Sequence, residues 1–146
     1  MKNQQTKPAH ILLIEDNEGD ILLTLDAFEE CKVKTEISVV KNGQEALDFL
    51  FKRETFIDAK KPDLILLDIN IPIFNGHEVL NKIKADPILK KIPVIMLTTS
   101  SNQKDLDRAY ENHCNSYVKK PLEIREFLDA ILKIEEFWLQ LTTLSA

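Results

Sequence analysis

The chain of 146 residues predicts a single α/β domain, a doubly wound, five-stranded parallel sheet with helices on both faces. Two observations predict it. Short continuous apolar runs, the pattern of strands covered on both sides, alternate strictly with stretches whose apolar residues recur every three or four positions, the pattern of amphipathic helices. The composition, 44% hydrophobic and 29% charged, suits one globular domain of this length with a substantial core. Five strand–helix units in alternation imply parallel strands joined by crossover helices.

The elements follow in order along the chain. The opening MKNQQTKPAH is polar, and residues 1–8 are expected to form a flexible arm. HILLIE (10–15) reads as the first strand, and Ile21, Leu22, Leu25 and Phe28 mark the first helix. TEISVVK (35–41) is a weaker strand, followed by a helix carrying Ala46, Leu47, Leu50 and Phe51. KRETFIDAKKP (52–62) reads as an insertion before the third strand, DLILLD (63–68). Val79, Leu80 and Ile83 mark the third helix, IPVIMLT (92–98) the fourth strand, and Leu106, Ala109 and Tyr110 the fourth helix. NSYVK (115–119) is the fifth strand, and a long amphipathic helix closes the chain. Asn42 and Asn75, each followed by glycine, stand where helix N-caps belong.

Charge and cysteine content narrow the function. A net charge of −5 argues against nucleic acid as a partner, because duplex binding depends on clustered Lys and Arg. Cys31 and Cys114 show no CxxC spacing and suit reduced thiols in a cytoplasmic protein. No stretch reaches the roughly 18 apolar residues of a membrane helix. The three glycines form no GxGxxG, so a nucleotide site has no support. His10, His77 and His113 share no metal-ligand spacing with a Cys, Asp or Glu pair and read as ordinary surface or half-buried histidines.

Function in an open parallel sheet gathers at the carboxyl ends of the strands. The first strand ends in Glu15-Asp16, the third in Asp68, the fourth in Thr98-Thr99, and the fifth in Lys119-Lys120 before Pro121. Three clustered acids repel one another unless a cation holds them, and a hard, oxygen-ligated ion such as Mg²⁺ answers that need. A lysine beside such a site serves as a point charge on a phosphate, and a threonine hydroxyl can donate to one of its oxygens. Asp68 is then the natural nucleophile, since a carboxylate can form an aspartyl phosphate.

LLIEDNEGD, LILLDINIPIFNG, VIMLTTS and YVKKPL together resemble the signature of the receiver domain of two-component response regulators. The resemblance runs from about residue 9 to residue 133 and implies a flavodoxin-like sheet of order 2-1-3-4-5. It implies that Asp68 is the phosphoacceptor, that Glu15 and Asp16 are the acidic metal pair, and that the backbone carbonyl of Asn70 is a further Mg²⁺ ligand. Thr98 becomes the switch hydroxyl, Tyr117 its aromatic partner, Lys119 the phosphate-binding lysine, and Lys120-Pro121 a cis peptide. Pro72 shapes the loop after Asp68, and Gly76 relieves crowding where that loop enters the third helix. A narrower likeness, carried by the segment between Phe51 and Asp63, the LTTS run and the tail KIEEFWLQLTTL, is to the small stand-alone regulators of phytochrome kinases. It implies a sensor histidine kinase as partner and a homodimer through the C-terminal region.

Three functional classes remain open. The first is a phosphoacceptor signalling protein, with phosphotransfer and slow autodephosphorylation but no turnover of a substrate. The second is an interaction module that works without phosphorylation. The third is an aspartate-dependent phosphatase, which is disfavoured because Asn70 stands where such enzymes carry a second acid, and asparagine cannot transfer protons. At the C-terminus, Phe127, Ile131, Ile134, Trp138 and Leu141 recur at helical spacing beside a second apolar stripe. Residues 134–146 therefore read as an extension that dimerises the chain, with Phe137 and Trp138 as anchors.

Overall fold

Continuous apolar runs leave no polar face for water, and the strands they form are covered on both sides. The computed structural model describes residues 8–99, 102–121 and 123–141, with side chains through residue 139. The strands are β1 (Ala9–Ile14), β2 (Thr35–Val40), β3 (Leu64–Leu67), β4 (Val94–Thr98) and β5 (Ser116–Lys119), all parallel and ordered β2-β1-β3-β4-β5. The helices are α1 (Glu18–Glu29), α2 (Gly43–Leu50), α3 (Gly76–Ala85), α4 (Gln103–Glu111) and α5 (Ile124–Glu135). A π-helical turn, Glu136–Leu141, extends α5. The five expected strands and helices are all present, and the sheet order is the one the resemblance implied.

Alternation along the strands divides the core into two layers. Leu12, Ile14, Ile65, Leu67, Val94 and Met96 face α2, α3 and α4, packing against Leu47, Leu50, Leu80 and Ile83. Ile11, Leu13, Leu64, Leu66, Ile95 and Leu97 face the other way, toward α1 and α5, and meet Phe28, Phe127 and Ile131. Full burial of each such side chain stabilises the fold by roughly 1.5–3 kcal/mol.

The helix starts explain why the loops before them are well defined. Asn42 Oδ1 accepts the Glu45 N–H at 2.8 Å. Asn75 forms a reciprocal capping box with Glu78, its side chain accepting the Glu78 N–H while Glu78 accepts the Asn75 N–H. The 52–62 insertion is anchored where Phe56 packs on Phe49, ring centroids 5.4 Å apart.

Two expectations need correction. Phe127, Ile131 and Ile134 are buried against α1 and the sheet, so they belong to the domain's own core and not to an exposed dimer face. A helix laid on a sheet buries its broadest apolar stripe there first, and that stripe includes these three residues. Phe137 is exposed and Trp138 half-buried, while the Leu141 side chain lies outside the described residues. The Lys120–Pro121 bond is trans, the intrinsically lower form of an X–Pro peptide; the described residues contain no cis bond. Residues 1–7 of the expected arm likewise lie outside the described residues.

Candidate phosphoacceptor site

β1 and β3 are neighbours in register, with Ile14 opposite Leu67, so the residues that follow them emerge side by side at the sheet's carboxyl edge. Glu15, Asp16 and Asp68 each place a carboxylate oxygen within 4.8 Å of the others. Glu15 and Asp68 are buried and Asp16 is exposed, so the cluster opens to solvent on one side. Gly76 lets α3 start directly beneath it. A Cβ there would lie 2.7 Å from the Ile69 Cα and closer still to the Asp68 carbonyl oxygen.

The cation of the site is Lys120. Its buried ammonium contacts Glu15 Oε1, lies 2.8 Å from Asp20 Oδ2 and 3.5 Å from Asp68 Oδ2. Burial works against that charge, but the hydrogen bonds to Asp20 and Glu15 and the charge of Asp68 outweigh it and hold the lysine above its ordinary pKa. Lys119, expected to fill this role, is exposed at the end of β5, opposite Thr98. Strand alternation is the reason: Tyr117 packs into the α2–α4 layer and Val118 into the α1–α5 layer, so the residue aimed toward α1 and Glu15 is Lys120. The Lys120 N–H still donates to the Thr98 carbonyl at 2.6 Å, which fixes the turn out of the sheet.

Burial pushes the Glu15 carboxyl up to about 7, and the nearby Asp68 charge adds to the rise against the opposing pull of Lys120 and the Asn17 N–H. Three carboxylates this close together, one of them open to solvent, are a donor set that fits a hard, oxygen-ligated divalent cation. Thr98 is fully buried at the end of β4, and Met96 lies opposite Tyr117 on the same face. Thr98 and Tyr117 are thus brought to one side of the sheet, while Glu15 and Lys120 gather toward the other. Asn70 sits in the loop after Asp68, its N–H 3.5 Å from Asp68 Oδ1. Pro72 accepts the Gly43 N–H at 3.0 Å, tying the loop to the start of α2. Pro121 directly follows the lysine.

The site contains one residue that sequence reasoning passed over. Asp20, in the first turn of α1, is a fourth acid, reached through Lys120. Its one local signal was an acid in the first turn of a helix, a position where acids are common.

The model of the response regulator receiver domain matches residues 11–132. The chain belongs to that family. It is 37% identical over 146 residues to the response regulator Rcp1 of Synechocystis sp., covering 100% of this chain and 99% of the relative. The structure of the phosphorylated cyanobacterial phytochrome response regulator RcpA superposes with a TM-score of 0.93 at 41% identity, covering 96% of this chain and 100% of that one. The Mn²⁺-bound form of Rcp1 superposes with a TM-score of 0.92 at 38% identity, covering 95% and 100%. The receiver domain described here is therefore related to phytochrome response regulators, and its acidic cluster lies in a family with a metal-bound member. Among the described residues no helix is long and apolar enough to cross a membrane.

Proposed function

We propose that this receiver accepts a phosphoryl group on Asp68 from the phosphohistidine of a sensor kinase of the phytochrome class, and signals by protein contact. The observation that carries the reading is the convergence of Asp68, two further carboxylates and one buried lysine at the edge of a receiver sheet. An Asp68 oxygen forms the new bond to phosphorus as the bond to the imidazole nitrogen breaks, and its electron pair stays with the imidazole. Lys120, and not Lys119, is the cation that meets the phosphoryl oxygens, and Thr98 is the hydroxyl that donates to them. Glu15, Asp16, Asp68 and the backbone carbonyl of Asn70 would hold Mg²⁺, which when bound supplies neutralisation of the phosphoryl charge. Tyr117 then follows Thr98 and biases the α4–β5 face between two packings.

Asn70 supports a phosphoprotein over a phosphatase, because it offers no second acid. The unpaired Cys31 and Cys114 support a reducing, cytoplasmic setting. A groove of about 690 Å³ between β5 and α5, lined by Val118, Ala130, Ile134, Phe137 and Trp138, supports a homodimer through the end of the chain, reduced from the sequence reading to Phe137 and Trp138 as anchors. Phosphotransfer profiling tests the function: label on the histidine of a phytochrome-type kinase is expected to move within minutes to the wild type and not to Asp68→Asn. Equal labelling of both proteins would refute it.

A further inference from the structure

Asp20 has a fixed place and a single visible task. Its N–H donates to the Asn17 cap at 2.9 Å, and its carbonyl accepts the Thr24 hydroxyl at 2.7 Å, so the backbone is held from both sides. The side chain reaches away from α1 to Lys120 Nζ at 2.8 Å, across 100 residues of sequence. An ammonium has three protons to place. One goes to Glu15 and one to Asp20, while Asp68 at 3.5 Å is beyond a well-formed hydrogen bond.

We propose that Asp20 is a positioning residue: it ties Lys120 to α1, so that the ammonium, already bonded to Glu15, stays 3.5 Å from Asp68 instead of closing on it, which leaves Asp16 and Asp68 more open to a divalent cation. The proposal rests on the reading of Glu15, Asp16 and Asp68 as the cation site. Asp20 is itself part-exposed, whereas Lys120 is buried, so the aspartate stands at the mouth and the lysine behind it. Without the Asp20 charge, the ammonium has two remaining partners, Glu15 and Asp68, both in the cluster. It would lean on them and oppose a cation directly.

The test is a Mg²⁺ titration by calorimetry on the full chain, with no phosphoryl donor present. Asp20→Asn is expected to weaken Mg²⁺ binding by roughly five- to tenfold, the scale of losing one charge-assisted hydrogen bond at a half-open site. Glu18→Gln removes an acid from the same helix turn that pairs with the exposed Lys41, and is expected to leave affinity unchanged. In the Lys120→Met background Asp20→Asn is expected to change affinity no more than Glu18→Gln does. Full weakening in that background would mean that Asp20 acts on the cation directly and would overturn the proposal, as would unchanged affinity in the single variant. Because Lys120→Met leaves buried acids without their cation, a second arm avoids it: the ¹⁵Nζ resonance of Lys120 is expected to shift in Asp20→Asn and to stay in place in Glu18→Gln. An unmoved resonance overturns the proposal. Failure of the receiver reading shows separately, as a wild-type chain that takes up no phosphoryl group.

Discussion

Lys119 and Lys120 differ by one position and by nearly everything else. The first ends β5 on the solvent side, and the second is buried among three carboxylates. Phosphoryl uptake from acetyl phosphate is expected to fall at least about tenfold in Lys120→Ala, through loss of the charge on the phosphoryl oxygens, and to hold within about twofold in Lys119→Ala. Rates followed by intact mass check this. The carboxylates were legible because each follows a run of buried strand residues, where an acid has no structural reason to stand. The lysine was not, because two adjacent lysines at the end of a four-residue strand can be told apart only by which face each takes, and packing decides that. Asp20 was hidden by its ordinariness, since acids are common in a first helical turn, where the helix dipole favours them. The cysteines give a separate expectation at this scale. Burial, helped by the charges of Glu135 and Glu30, pushes the Cys31 thiol up to about 11. Alkylation of folded protein at pH 8 should therefore run about a hundredfold slower than for an ordinary thiol, rising tenfold per pH unit, as iodoacetamide kinetics can show. The unfolded chain gives up this proton first, near 9.0, so the contribution of Cys31 to stability is present below that pH and is lost as pH rises toward about 11.

Among the elements, α3 and α5 carry the clearest lessons. α3 is set by a capping box and by a glycine that lets its first turn rest on the Asp68 backbone. Gly76→Ala would drive a methyl into the Asp68 carbonyl, where the neighbours are backbone and have little room to yield. It is expected to cost about 1–3 kcal/mol by urea unfolding and to slow phosphoryl uptake, because the displaced atoms include the backbone of Asp68. The cap and the glycine were both legible, since Asn-Gly before an apolar repeat has a local meaning. α5 shows the opposite case. Its apolar repeat announced a helix correctly, but periodicity alone does not say which of two stripes meets the sheet. The fold assigns Phe127, Ile131 and Ile134 to the core, while Phe137 is exposed and Trp138 is half-buried at the core's margin, its ring edge-on to Phe137. Trp138→Glu is expected to convert a dimer to a monomer in sedimentation at tens of micromolar; a monomeric wild type would refute the dimer.

For the molecule as a whole, the strict strand–helix alternation made the class of fold readable, while the order of strands came from the resemblance. Periodicity carries no record of which strand lies beside which. That order is what assembles the cluster: β1 and β3 are adjacent, β4 and β5 follow, and the acids and the lysine meet at one edge although they span more than a hundred positions of the chain. The central claim is that this edge makes Asp68 a phosphoacceptor. It is tested most directly by weighing the intact protein after incubation with acetyl phosphate and Mg²⁺. Wild type is expected to gain about 80 Da, and Asp68→Asn to gain nothing. An unmodified wild type, or an adduct that survives Asp68→Asn, would contradict it.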